Sequence, residues 1–153
     1  EHLAAMYSDR VPSVIVRPFN YTGVGQSDQF IIPKIVNHTQ SRAAEIELGN
    51  LEVARDFNDV RFFAEAVARL LETPKANGQT VNICSGRAVM LTELLDLVAK
   101  LSGHKMEVRT NPSFVRAQEV GRLWGDDRLL QKLVGPISGP SLSETLDWML
   151  ATE

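Results

Sequence analysis

The chain has 153 residues, 44% of them hydrophobic and 23% charged, which is enough for one ordinary soluble domain with a sizeable core. Its formal charge of -3 excludes a general pull toward nucleic acid or anionic membrane, though not a local arginine cluster around a phosphate. The single cysteine, Cys84, excludes an intrachain disulfide framework and fits a reducing, cytoplasmic compartment, and no apolar run approaches the roughly 20 residues that a membrane-spanning helix needs.

The chain opens on Glu1-His2, with no initiator methionine and no apolar stretch behind a basic start. No signal peptide is therefore expected, and the chain reads as cut from something longer. Residues Glu1 to Asp9 read as a helical tail, with Leu3, Met6 and Tyr7 at helical spacing. Val14-Ile15-Val16 is a short, continuously apolar run, the pattern of a strand buried on both faces in a parallel sheet. A glycine-bearing loop follows from Asn20 to Asp28, then a helix from Phe30 to Gln40 with Pro33 in its first turn.

Glu45 to Leu48 is a candidate strand that ends in a turn at Gly49-Asn50. Asp59 precedes Val60, Phe63, Ala64, Val67, Leu70 and Leu71, an amphipathic helix with Asp59 as its expected N-cap. Thr80 to Cys84 reads as a strand, and Thr92 as the cap of a helix that stops at Gly103. Met106 to Arg109 is a further strand, Asp126 or Asp127 opens a short helix ending at Gly135, and Ser141 to Glu144 is a capping box before the last helix. The alternation of strands and helices makes the class α/β. Asn111 to Val120 is the longest irregular stretch, of the kind that often carries function.

Several candidate sites have bland readings. Gly23-Val24-Gly25 sits between a strand and a helix, where a dinucleotide fingerprint would lie. Its third glycine position is Asp28, however, and a carboxylate there opposes a phosphate, so an ordinary glycine turn is expected. His2, His38 and His104 lack neighbours at metal-ligand spacing, and no metal is expected. Ser85 is preceded by Ile83-Cys84 and so is no nucleophile elbow, and Cys84 reads as inert core. Arg55, just before a helix start, and Arg116, in the long loop, suit bidentate phosphate binding. Spacing alone leaves solvated or salt-bridged arginines as the default.

Taken together, the motifs resemble those of the extended short-chain dehydrogenases/reductases. Arg17 to Gln26 (RPFNYTGVGQ) is similar to the family's R-x-F-N-x-x-G segment after the sixth strand of its Rossmann sheet. Arg55-Asp56-Phe57-Asn58-Asp59-Val60 resembles its R-D-F/Y-x-x-V element, and Val81 to Gly86 (VNICSG) its Y-N-x-x-S-G strand and turn. Arg116 with Glu119, then Asp126, resembles its R-x-x-D … D spacing, and Glu1 to Ala4 resembles the stretch directly after its Tyr-x-x-x-Lys motif. The combination of RPFN-x-T-G-x-G-Q, Gly49-Asn50-Leu51-Glu52 and Cys84-Ser85-Gly86 is most similar to GDP-6-deoxy-4-keto-mannose reductases, with GDP-mannose 4,6-dehydratases as near relatives.

The resemblance implies the C-terminal part of a Rossmann-type enzyme: a remnant of the dinucleotide domain over 1–19 and a smaller mixed α/β substrate domain over 20–153. It implies NAD or NADP as cofactor, held mainly by residues outside this chain, with Arg17, Pro18 and Phe19 on the nicotinamide side. A nucleotide-diphospho-sugar, with a GDP-sugar favoured, is the implied partner. Asn20 would bond its diphosphate or sugar, Arg55 and Arg116 would grip the diphosphate, and Ile46, Leu48 and Asn50 would flank the base. Asn82 and Glu119 complete the implied substrate set, Glu119 standing where the family has aspartate. No catalytic residue is expected in this chain, because neither Tyr7 nor Tyr21 has a lysine four residues on; Val11 and Gly25 stand there. A homo-oligomer is expected, because the Leu3, Met6 and Tyr7 stripe and Val14 to Phe19 would present apolar surface. The alternatives are a stand-alone nucleotide-binding module without catalysis and a plain oligomerisation domain.

Overall fold

Nine short strands and six helices alternate along residues 1–7, 10–115 and 118–152, which the computed structural model describes. In chain order they are α1 (His2–Met6), β1 (Ile15–Pro18), β2 (Tyr21–Thr22), α2 (Ile31–Gln40), β3 (Glu45–Leu48), β4 (Ala54–Arg55), β5 (Asn58–Asp59) and α3 (Val60–Leu71). Then come β6 (Thr80–Ile83), β7 (Val89–Met90), α4 (Leu91–Ser102), β8 (Glu107–Thr110), β9 (Arg122–Leu123), α5 (Arg128–Val134) and α6 (Leu142–Ala151).

The strands form four small sheets. β1 pairs in parallel with β6, Ile15 opposite Thr80 and Pro18 opposite Ile83. β3 pairs in parallel with β8, and β2 with β5. β4 lies between an antiparallel β7 and a parallel β9. Two apolar clusters hold these sheets in place. In the first, Ile32 and Ile35 of α2, Ile46 and Leu48 of β3, Leu94 and Val98 of α4 and Leu146 of α6 pack together. In the second, Ala66 and Leu70 of α3, Val81 and Ile83 of β6 and Leu130 of α5 pack beneath Val14 and Val16. The layer that β1 enters thus draws its partner strand and two helices from beyond residue 19.

Helix ends follow local chemistry. Asp59 caps α3, its carboxylate accepting from the Arg61 backbone N–H at 2.7 Å. Ser141 and Glu144 form the expected reciprocal box at α6. Gly103 ends α4 in the left-handed region at φ 63°, where a Cβ would be strained.

Two expectations need correction. The first concerns Val14 to Val16: β1 runs over Ile15–Pro18 and is half-buried to exposed, not buried on both faces, and Val14 and Val16 pack on the cluster of α3, α5 and β6 while keeping part of their surface in solvent. Thr92 does not cap α4. Met90 is the N-cap, and the Glu93 carboxylate accepts from its N–H at 3.1 Å, because Leu91 must turn inward beside Leu94 and its own N–H is taken by the Val53 carbonyl. At α5 both aspartates expected at its start take part: Asp127 is the N-cap residue, and the Asp126 carboxylate accepts from the Arg128 N–H at 3.0 Å. The strands β2, β4, β5, β7 and β9 have only two residues each, too short to leave an alternating pattern.

Candidate functional site

A cleft of about 660 Å³ opens beyond the carboxyl ends of β1 and β3, the place where parallel α/β layers commonly bind ligands. Pro18 closes β1, and Phe19 and Asn20 continue from it as the first wall. Their backbone is fixed: the Phe19 N–H donates to the Ile83 carbonyl at 2.9 Å, and the Asn20 carbonyl accepts from the Asn58 N–H at 2.8 Å. The first turns of α2 supply Phe30 and Lys34, and the end of β3 supplies Leu48, Gly49 and Asn50. Alternation along β3 turns Ile46 and Leu48 to the same buried face. Only Leu48, at the strand end, reaches the cleft; Ile46 sits in the core at 1% exposure.

Arg55 and Glu119 form the polar wall. Arg55 Nη1 donates to the Ala54 carbonyl at 2.9 Å, and Nη2 lies 3.7 Å from Glu119 Oε1. Both side chains are one-fifth exposed, and Glu119 Oε2 has no hydrogen-bond partner among the described residues. The Asn50 Oδ1 accepts from the Glu52 N–H at 2.9 Å, so this residue shapes its turn as well as lining the cleft.

Of the residues singled out in the sequence, the structure brings Pro18, Phe19, Asn20, Leu48, Asn50, Arg55 and Glu119 to one cleft. Arg17 lies outside it, exposed and paired with Glu1 at 2.6 Å. Asn82 also lies outside it, its Nδ2 donating to the Asp126 carbonyl at 3.3 Å. Arg116 lies outside the described residues. His38 Nδ1 meets the Lys34 carbonyl at 2.9 Å and His104 Nε2 the Ala43 carbonyl at 2.8 Å, which are structural uses.

Sequence reasoning missed Lys34, Phe114 and Asp56. Lys34 Nζ donates to the Glu47 carbonyl at 2.7 Å and stands 4.7 Å from the centre of the Phe114 ring, so a cation and an aromatic face close one end of the cleft. Asp56 is fully buried directly behind Arg55. Its Oδ1 accepts from the Ser85 N–H (3.0 Å), Ser85 Oγ (2.7 Å) and Asn58 Nδ2 (3.0 Å), and its Oδ2 from the N–H groups of Gly86 (3.0 Å) and Gly125 (3.3 Å). No alternation signals it, since β4 ends at Arg55 and residues 56–59 are all buried. Burial, then the nearby Asp56 carboxylate, pushes the Cys84 thiol up to about 12, which suits inert core.

The family model described as GDP-mannose 4,6 dehydratase matches residues 1–146. A GDP-6-deoxy-D-talose 4-dehydrogenase of Aggregatibacter actinomycetemcomitans is 34% identical over 88% of this chain and 46% of its own length. A GDP-6-deoxy-D-mannose reductase of Pseudomonas aeruginosa is 34% identical over 80% of this chain and 41% of its own. The structure of RMD from Pseudomonas aeruginosa complexed with NADPH superposes with a TM-score of 0.89 at 27% identity, over 98% of this chain and 52% of that one. The chain therefore spans about half the length of the relatives it matches. No helix among the described residues is long and apolar enough to cross a membrane.

Proposed function

Since the chain belongs to the GDP-mannose 4,6 dehydratase family of extended short-chain dehydrogenases/reductases, we propose that it supplies the nucleotide-sugar grip of an NAD(P)-dependent nucleotide-sugar enzyme. The observation that carries this is the gathering of Asn20, Asn50, Arg55 and Glu119 around one cleft that Pro18 and Phe19 also line. A guanidinium fork matches a diphosphate in geometry and charge, and holding the diphosphate fixes where the sugar points. Asn20 offers both an acceptor and a donor to a sugar hydroxyl or phosphate oxygen, and the Glu119 carboxylate offers acceptors to ribose hydroxyls.

NAD or NADP would give or take the hydride at the sugar. The residues that fit it here are the nicotinamide-side wall, Pro18 and Phe19, at the end of a strand with one uncovered edge. This chain's sequence has no Tyr-x-x-x-Lys pair, so its own part is binding and orientation, and the proton-transfer groups come from outside it. We place residues 1–19 with the dinucleotide-binding layer and most of 20–153 in the substrate domain, with β6, α3 and α5 joining β1 in the former. A GDP-sugar is the favoured ligand, because both curated relatives at 34% identity are named for GDP-sugars. A cytoplasmic location fits the lone, buried Cys84.

Titration calorimetry of the chain with GDP, GDP-mannose and UDP-glucose tests the reading. Binding of the two guanine ligands, lost in Arg55→Ala, is the expected result. Absence of heat with every nucleotide from a chain shown to be folded by circular dichroism would sink it.

A further inference from the structure

Asp56 is fully buried, and its carboxylate accepts from Asn58, Ser85, Gly86 and Gly125, groups that lie behind the Arg55, Asn20 and Phe19 parts of the cleft. We infer that Asp56 is the positioning residue that sets the distance between the phosphate-side and nicotinamide-side walls, an inference that rests on the ligand reading above. Four links support it. Arg55 precedes Asp56 directly, so the carboxylate anchors the strand from which the guanidinium projects. Asn58 donates its Nδ2 to Asp56 and its backbone N–H to the Asn20 carbonyl, which connects the carboxylate to the Asn20 wall in two bonds. Gly125 donates to Asp56 and holds the end of β9, the strand that follows Glu119. Gly125 also packs against Phe19, for a Cβ added there would lie 2.8 Å from the Phe19 ring.

The donor set says what the residue must be. Each bond to Asp56 comes from an N–H or O–H, so the site demands an acceptor at both oxygens. Asparagine has the same shape but would turn an amide NH₂ toward donors, leaving at least one unsatisfied and pushing a wall outward. Glutamate is longer by a methylene and has no room at full burial.

The test compares Asp56→Asn with Leu146→Ala, a fully buried core residue that lies outside the cleft, under conditions where both are fully folded. Loss of at least one charge-assisted bond predicts that GDP binds about tenfold more weakly to Asp56→Asn, with little change in Leu146→Ala. In NMR spectra, Asp56→Asn should shift the side-chain signals of Asn20 and Arg55 and weaken the contact between the Phe19 ring and Gly125. Should Asp56→Asn fail to fold, Ser85→Ala, which removes one donor and spares the carboxylate, should move the same signals by a smaller amount. Equal GDP affinity in the two variants, or shifts confined to residues 85, 86 and 125, would overturn the inference. If the unaltered chain binds no GDP, the ligand reading fails, and the NMR comparison alone decides the role of Asp56.

Discussion

Arg55 Nη2 and Glu119 Oε1 face each other across 3.7 Å on the wall of the cleft. That separation is an ion pair without a good hydrogen bond, and the partial exposure of both groups discounts it further. The guanidinium is thus held in place without being fully occupied, and its remaining donors can pass to a phosphate. Arg55→Ala is expected to weaken GDP binding about 10- to 100-fold, and Arg55→Lys nearly as much, since a point charge cannot reproduce the fork. Glu119→Gln removes an opposing charge and should tighten inorganic pyrophosphate binding by roughly twofold to fivefold. Calorimetry with pyrophosphate checks this, and weaker pyrophosphate binding by Glu119→Gln would count against it.

Gly125 has no room for a side chain. An added Cβ would lie 2.4 Å from Cys84 Sγ and 2.8 Å from Cys84 Cβ and the Phe19 ring. Gly125→Ala should cost about 1–3 kcal/mol in urea unfolding, through overpacking. Adding Cys84→Ala to that variant removes the nearest atom and should recover part of the loss, while the Phe19 contact remains.

How much of this was legible follows from the length of each signal. α3 and α6 were readable because a capping residue and several turns of apolar spacing agree with each other. β3 was readable because Glu45-Ile46-Glu47-Leu48 alternates in sequence as it does in burial. The two-residue strands were not, since they are defined by partners such as Arg55 opposite Val89 and Leu123, far away in the chain. The cleft residues were legible only through the family's ordered motifs. Even these could not distinguish Leu48, which reaches the cleft, from Ile46 two residues earlier, which is sealed in the core. Asp56 lay within a quoted motif, but nothing local marks it as the acceptor for Gly125.

The Asp59 carboxylate carries a pH signature. Burial opposes its charge, but hydrogen bonds from Arg61 and Thr145 outweigh that and leave its pKa below the usual aspartate value. A group depressed on folding contributes stability above its unfolded pKa of about 3.9, and the contribution disappears as pH falls through the lower folded value. Asp59→Asn can keep the cap through its amide oxygen but loses the Oδ2 acceptor for Arg61 Nη2 and Thr145 Oγ1, so it should be less stable than the unaltered chain by about 1–2 kcal/mol at neutral pH. The gap should narrow below a pH of about 4. Thermal melts of both proteins across that range supply the check; a constant gap would contradict the assignment.

Cys84 should resist alkylation. Its thiol is fully buried and pushed up to about 12, so at neutral pH the thiolate is scarce and out of reach. Iodoacetamide should modify it only at the rate of unfolding, and mass spectrometry over a urea series would show modification rising with the unfolding transition. Rapid modification of the native chain would mean that the segment over Cys84 opens.

Leu3, Met6 and Tyr7 are exposed at 72%, 65% and 53% around the short helix α1. A contiguous apolar stripe of this kind favours association in water. Light scattering of the chain should show mass rising with concentration, and a variant with serine at all three positions should remain a monomer. A monomer at all concentrations in the unaltered chain would refute this.

The bond from Gly125 to Asp56 spans 69 residues, and the one from Thr145 to Asp59 spans 86. Contacts this distant along the chain pay loop-closure entropy before they return anything, so they form late in folding. The cleft is therefore not assembled by growth from one end. If Asp56 sets the spacing of the walls, that spacing is completed during synthesis only after residue 125 has left the ribosome. Nucleotide binding by this chain would then report on completion of the fold itself, with truncation before residue 125 abolishing it even though Asn20, Arg55 and Glu119 are all present.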